Sequence, residues 1–143
     1  MTIKVNGLDK LINDLKRVSK EAERMTNDNL NKSAVQIAFK ATRNAPNFVK
    51  PLIRRDKLNN GKTWRVYVDN ADDPLPAYWE FGTGLSAKII LAPYPESIKA
   101  LAMTYYVNGM GTLRGSPYFF PAYFEEAPKL IENLKRDLEK LKL

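Results

Sequence analysis

Residues 63–69, Thr-Trp-Arg-Val-Tyr-Val-Asp, decide the fold class of this chain. Trp64, Val66 and Val68 alternate with more polar side chains, and a period of two is typical of a half-buried β-strand. The segment stands between stretches with helical periodicity. The sequence therefore predicts a strand over 63–69 inside a chain that is otherwise largely helical.

Working outward from this strand, turn residues predict two more strands. Asn60-Gly61 is a favoured two-residue hairpin turn, so residues 52–58 are predicted to form the antiparallel partner strand. Ala-Tyr-Trp-Glu-Phe at 77–81 is rich in aromatic residues and precedes Gly82-Thr83-Gly84. We predict a short strand over 77–81 that ends at the first of these glycines.

Helical periodicity fills the rest of the chain. One apolar stripe runs over 8–25 and a second over 30–45, which either begins a new helix near Thr26 or Asn27 or continues the first, and Pro46 ends it. A short helix is predicted after Pro95. The last helix has an apolar stripe that packs on the first helix or on a neighbouring copy, namely Phe124, Ala127, Ile131, Leu134, Leu138 and Leu141.

This order of elements predicts an α+β fold. A long N-terminal amphipathic helical region and a C-terminal helix would pack on a small, mainly antiparallel β-sheet. The 143 residues suit a single domain. Its predicted parts are a helical region (1–46), a β-hairpin with short strands (47–94), a variable helix and loop (95–115) and a C-terminal helix (116–143).

Composition excludes several classes of function. The chain has no cysteine and no histidine, which removes disulfides, thiol nucleophiles, the usual zinc sites and every triad with an imidazole base. No apolar run approaches the ~18 residues of a membrane-spanning helix. We expect no cofactor, no metal, no catalytic residue and no membrane partner.

The positive charge is concentrated in one segment. The chain carries 23 Lys and Arg against 16 Asp and Glu, a net charge of +7. Residues 40–65 contain eight basic side chains and one acidic side chain, which accounts for +7. The run is either a solvated loop or a surface for nucleic acid or an acidic protein. Arg54, Arg55 and Lys57 are the candidates to face DNA.

Glu80 is the one candidate acid for catalysis, because its aromatic neighbours Trp79 and Phe81 favour a raised pKa. A small hydrolase is therefore one hypothesis, although no second carboxylate is placed nearby. The alternative is structural. Phe81 would fill the core, and Gly82 or Gly84 would adopt a backbone conformation closed to residues with a Cβ atom.

Residues 118–124, Tyr-Phe-Phe-Pro-Ala-Tyr-Phe, contain five aromatic side chains. Phe120 and Phe124 have helical spacing and are predicted to lie in the core. Tyr118 and Tyr123 are predicted to lie at an interface with a partner.

Taken together in their order, four segments resemble the minor tail-component family of long-tailed double-stranded DNA bacteriophages, also called tail-completion, head–tail joining or neck proteins. They are Gly7 to Leu11, Trp64 to Val68, Tyr78 to Gly84 and Ser116 to Ala122. The third is similar to the family pattern Y-x-E-F-G-T and the fourth to P-F-x-x-P-A. The residues that match are Tyr78, Glu80, Phe81, Gly82, Thr83, Pro117, Phe119, Pro121 and Ala122.

The resemblance implies a structural virion protein without catalytic activity, made in the cytoplasm of the bacterial host. Copies would form a homo-oligomeric ring at the neck or tail end, between the head connector or adaptor and the tail terminator or tail tube. Packaged DNA would pass through the lumen. One family feature is missing, since the Asp-Thr-Gly turn expected after Ala45-Pro46 is replaced by a basic segment with a proline. A non-specific nucleic-acid-binding module that uses residues 40–65 is the alternative.

Overall fold

One three-stranded antiparallel sheet organises the molecule. The computed structural model describes residues 1–5, 20–104 and 110–141. The strands are β1 (Thr2–Val5), β2 (Ile53–Leu58) and β3 (Thr63–Val68), and β3 lies in the middle. The predicted strand and its hairpin partner are both confirmed, with Ile53 opposite Val68 and Leu58 opposite Thr63.

The hairpin turn is longer than predicted. Because Leu58 pairs with Thr63, the loop holds four residues rather than the two of Asn60-Gly61. Asn59 and Asn60 have φ angles of 50° and 56° and Gly61 has 89°. These left-handed conformations are tolerated by asparagine and glycine, and they explain why the turn forms here.

The assignment of residues 1–46 to helix is wrong at its beginning, where β1 pairs with β3 and places Ile3 opposite Val66. The strand is short, and its partner lies about sixty residues away, so no local periodicity predicts it. The predicted helical stretch over 8–19, with the Gly7 to Leu11 motif, lies outside the described residues.

A long helix, α1 (Lys20–Asn44), packs across the sheet. Its buried face carries Leu30, Ala34, Ile37 and Ala41, the predicted second stripe. The helix is continuous through residues 26 and 27, so no new helix begins there. It ends before Pro46, as predicted. The basic segment that follows contains a 3-10 turn, Lys50–Leu52, and a second 3-10 turn, Asn59–Gly61, forms part of the hairpin loop.

The predicted strand over 77–81 is wrong, because those residues belong to helix α2 (Leu75–Phe81). Pro76 lies in the first turn, and the Asp73 carboxylate accepts a hydrogen bond from the Leu75 N–H at 3.0 Å. Ala77, Glu80 and Phe81 are buried, and this spacing of three and four belongs to one helical face. Helix α3 (Leu85–Leu91) follows, so 47–94 is only partly β-structure.

Two further helices complete the described chain. The predicted helix after Pro95 is α4 (Glu96–Thr104), and residues 105–109, with part of the predicted loop, lie outside the described residues. Helix α5 (Phe120–Glu139) has Pro121 in its first turn and continues through Pro128. Its stripe is rotated from the prediction: Leu130 and Leu134 are buried, whereas Phe124 and Ile131 are 37% and 47% exposed.

Helices α1 and α5 pack antiparallel, joined by polar contacts at both ends. Near one end the Asn29 amide donates to Asp137 at 2.9 Å, and near the other Lys40 contacts Glu125 at 2.8 Å and Glu126 at 3.0 Å. The hydrogen bond from Lys40 holds the pKa of Glu125 below its usual value. The fold is therefore α+β, with α5 packed mainly on α1. No helix in the described ranges is long and apolar enough to cross a bilayer.

Candidate functional site

Glu80 joins two of the four segments that carry the family resemblance, Tyr78 to Gly84 and Ser116 to Ala122. Its Oε2 accepts hydrogen bonds from the backbone N–H groups of Tyr118 at 2.7 Å and Phe119 at 2.9 Å, and Oε1 accepts one from Phe120 at 3.0 Å. The side chain is 0% exposed. These N–H groups stand at the start of α5, where they have no partner within the helix. Glu80 is thus the N-terminal cap of α5, supplied from forty residues upstream.

The environment of Glu80 suits a cap better than a catalytic acid. Burial raises the pKa of the Glu80 carboxyl above its ordinary 4.5, and the three N–H donors oppose this rise. The positive end of the α5 dipole also favours a carboxylate at this position. Both oxygens are occupied and no face of the group meets solvent, so Glu80 cannot contact a substrate in this conformation.

At Gly82 the first segment also touches the backbone of Leu113 and Gly115, just before the second segment. The φ of Gly82 is +74° and a Cβ atom placed there would lie 2.6 Å from the Gly115 nitrogen and 2.8 Å from the Leu113 oxygen. Thr83 adds two bonds to Leu113: its N–H donates to the carbonyl, and its hydroxyl accepts the Leu113 N–H, both at 2.9 Å. The predicted positive φ is confirmed at Gly82 and also at Gly84, where φ is +58°.

The other motif residues support this junction. The Tyr78 carbonyl accepts the Gly82 N–H at 2.7 Å. Phe81 stacks on Phe120 with ring centroids 5.7 Å apart. Phe119 and Ala122 are buried, Pro117 is partly buried, and Pro121 is exposed in the first turn of α5. We call the contact between residues 78–86 and 113–120 the motif junction.

The two predicted interface tyrosines are placed differently. Tyr118 is 0% exposed, and its hydroxyl donates to the Pro76 carbonyl at 3.0 Å. The prediction that it faces a partner is therefore wrong for this fold: the tyrosine belongs to the core of the motif junction. Tyr123 is partly buried beside an open apolar groove between α4 and α5. Its role at an interface stays a prediction.

The three candidate DNA-facing residues lie on β2, but on two faces of the sheet. Arg55 and Lys57 pair with Val66 and Trp64 on the face toward α1, and the Arg55 guanidinium lies 5.2 Å from the centre of the Trp64 ring. Arg54 points to the opposite face and forms an ion pair with Asp69 at 3.1 Å. The alternation of side chains along a strand enforces this separation.

Much of the charge over 40–65 is neutralised by the fold. Lys40, Arg54, Lys62 and Arg65 all form ion pairs with carboxylates. The Asp56 side chain raises the pKa of Arg65 by accepting its hydrogen bond. Within the described residues, the basic side chains of this segment without an ion pair are Arg43, Lys50, Arg55 and Lys57. The cationic surface is therefore smaller than the sequence indicates.

Helix α3 presents an exposed apolar surface that was not predicted from the sequence. Leu85 and Ile89 are 71% and 66% exposed, on the side of α3 opposite the buried Ala87 and Leu91. The signal was present, since Leu85 and Ile89 are four residues apart with Lys88 between them. Leu85 and Ile89 therefore form an exposed apolar surface one helical turn long on α3.

No cluster of three acidic side chains placed to hold a metal ion occurs in the described part of the chain. Comparisons of this chain with protein-family models, with curated proteins and with solved structures find no match.

Proposed function

We propose that this chain is a structural subunit of a bacteriophage neck or tail end, and that its copies form a ring around the path of the DNA. The observation that carries the proposal is the motif junction. The segment that matches Y-x-E-F-G-T meets the segment that matches P-F-x-x-P-A through Glu80, which accepts the N–H groups of Tyr118, Phe119 and Phe120. Gly82 packs on Leu113 and Gly115, just before the second segment. A shared fold-forming contact accounts for both motifs without any catalytic role.

The exposed apolar surface favours an assembling protein over an isolated binding module. Phe39, Leu85, Ile89 and Met103 are each at least 60% exposed in a chain of 143 residues. Among these, Leu85 and Ile89 lie one helical turn apart on α3 and form a joined apolar surface, the kind that a partner covers. In this proposal the partners are further copies of the chain, the head connector or adaptor, and the tail terminator or tail tube.

A second candidate function is non-specific binding of nucleic acid. It is favoured by Arg55 and Lys57 on β2, which form no ion pair among the described residues. The two proposals differ in the mass of the protein in solution. A neck subunit self-associates as its concentration rises, whereas a stand-alone module remains a monomer and binds DNA. Sedimentation at several protein and salt concentrations separates them.

Binding to duplex DNA is expected to be weak, independent of sequence and lost as salt rises, because phosphate contacts release counterions. Replacing Arg55 and Lys57 with serine should reduce the slope of log K against log salt by up to about 2, at roughly 0.9 for each phosphate contact. Also replacing Arg54 should add little, because Asp69 already neutralises it. Fluorescence anisotropy with labelled duplexes measures this slope.

The matched control is the double variant Lys32→Ser and Lys135→Ser, which removes the same charge from exposed positions on α1 and α5. An equal reduction of slope in the control would assign the effect to net charge. An unchanged slope in the Arg55 and Lys57 variant would show that β2 does not face DNA.

A further inference from the structure

The outer side of α3 combines apolar and cationic groups. Leu85 and Ile89 lie one helical turn apart and are 71% and 66% exposed. Lys88 lies between them in the sequence, is exposed and takes part in no ion pair among the described residues. The surface is therefore apolar with an unneutralised positive charge.

A second basic residue, Arg114, belongs to a segment whose backbone the motif junction anchors beside α3. The Gly115 N–H donates to the Ser86 hydroxyl at 3.0 Å, and Leu113 bonds to Thr83. Arg114 lies between these two anchored residues, is exposed and likewise has no ion pair in the described part of the structure. We call Leu85, Lys88, Ile89 and Arg114 the α3 face.

The start of α2 also combines exposed apolar side chains with charge, but here the charge is negative. Leu75 is 43% exposed and Phe48 is 42% exposed. Both adjoin Trp79, which lies one turn after Leu75 and packs edge-on against Phe48 at 5.8 Å. Asp72 and Asp73 precede Leu75, are exposed, and form no ion pair among the described residues. We call Phe48, Asp72, Asp73 and Leu75 the α2 face.

We propose that the α3 face of one copy binds the α2 face of a second copy. Each face has exposed apolar side chains, and the two faces carry unpaired charges of opposite sign, so they complement each other in both respects. Within one copy Leu75 begins α2 and Leu85 begins the next helix, so a single chain carries both faces at separate places. The occupant that the charges select is a further copy of the same chain.

Contact between two different faces is head-to-tail. Such a contact leaves one face free on each end of a pair and continues until the rotation closes a ring. The inference rests on the proposed ring function and identifies the surfaces that would join its subunits. It predicts assemblies larger than a dimer.

Charge reversal tests the pairing. The first variant, Lys88→Glu with Arg114→Glu, makes the α3 face negative. The second, Asp72→Lys with Asp73→Asn, makes the α2 face positive and keeps an oxygen acceptor for the Leu75 N–H. In each variant alone, faces of like charge meet, and self-association should weaken by about 100-fold. Melting temperature and far-UV circular dichroism verify that both variants are folded.

A one-to-one mixture of the two variants gives the decisive result. Each face of one variant then meets an opposite charge on the other variant, so the mixture should associate again into particles larger than a dimer, as measured by sedimentation velocity. If either variant alone associates as strongly as the wild type, or if the mixture stays monomeric, this pairing of faces is wrong. The self-association of the wild type would then use other surfaces. A wild-type protein that is monomeric at every concentration would contradict both the pairing and the proposed ring.

Discussion

Replacing Glu80 with alanine is expected to lower the free energy of unfolding by about 4 kcal/mol. The substitution leaves the N–H groups of Tyr118, Phe119 and Phe120 without their acceptor at the buried start of α5. A buried donor without a partner costs about 1–3 kcal/mol, and three such donors lie within one turn. Urea unfolding followed by circular dichroism measures the change.

The control is Glu132→Ala, the same substitution at an exposed position in α5. It should change stability by about 0.5 kcal/mol or less. Glu80→Gln adds a second comparison, since the amide keeps one acceptor but turns an N–H donor toward the backbone donors. If Glu80→Ala unfolds at the same urea concentration as the control, Glu80 is not the structural cap of α5. That result would favour the alternative hypothesis, in which Glu80 is a catalytic acid.

Gly82→Ala is expected to destabilise the protein by about 3 kcal/mol. Its φ of +74° and ψ of −168° lie in a region of backbone conformation that is essentially restricted to glycine. The added Cβ would also press on backbone atoms of Gly115 and Leu113, which cannot rotate away. Thermal and urea unfolding of the purified variant measure the loss.

Gly61→Ala is the control that separates backbone strain at positive φ from the steric clash of the added Cβ atom. Its φ is +89°, but the nearest atom to an added Cβ is the flexible Lys57 Cε at 3.3 Å. This variant should lose about 1 kcal/mol from backbone strain alone. Equal losses at the two glycines would mean that the close approach at the motif junction contributes nothing.

Strands β2 and β3 and the long helices could be predicted because their signals are local. The alternation through Trp64, Val66 and Val68 needs no knowledge of the rest of the chain, and neither does the stripe of Leu30, Ala34 and Ile37. Strand β1 could not be predicted in this way. Its four residues acquire their structure by pairing with β3, far along the sequence.

Residues 77–81 show how tertiary contacts override local preference. Tyr78, Trp79 and Phe81 have side chains that favour strands, yet the segment is helical. The helix places Ala77 and Phe81 in the core and directs Glu80 to the start of α5. The environment of Glu80 could be anticipated from its aromatic neighbours, but its three donors lie forty residues away and leave no mark on the local pattern.

The positive charge of the 40–65 segment could be counted from the sequence, but the ion pairs that neutralise part of it could not be predicted. Lys40 finds its carboxylates on α5, and Arg54 finds Asp69 beyond the end of β3. Such pairs depend on how distant segments pack. Composition therefore located the cationic region and overstated how much positive surface it presents.

The most direct test of the proposed function is the position of this chain in a phage particle. Cryo-electron microscopy of the intact particle whose genome encodes the chain should show a ring of copies at the neck or tail end, with DNA or its path through the lumen. At the subunit boundaries, the α3 face should lie against the α2 face of the next copy. A particle that lacks the chain, or that carries it away from the neck and tail, would contradict the account.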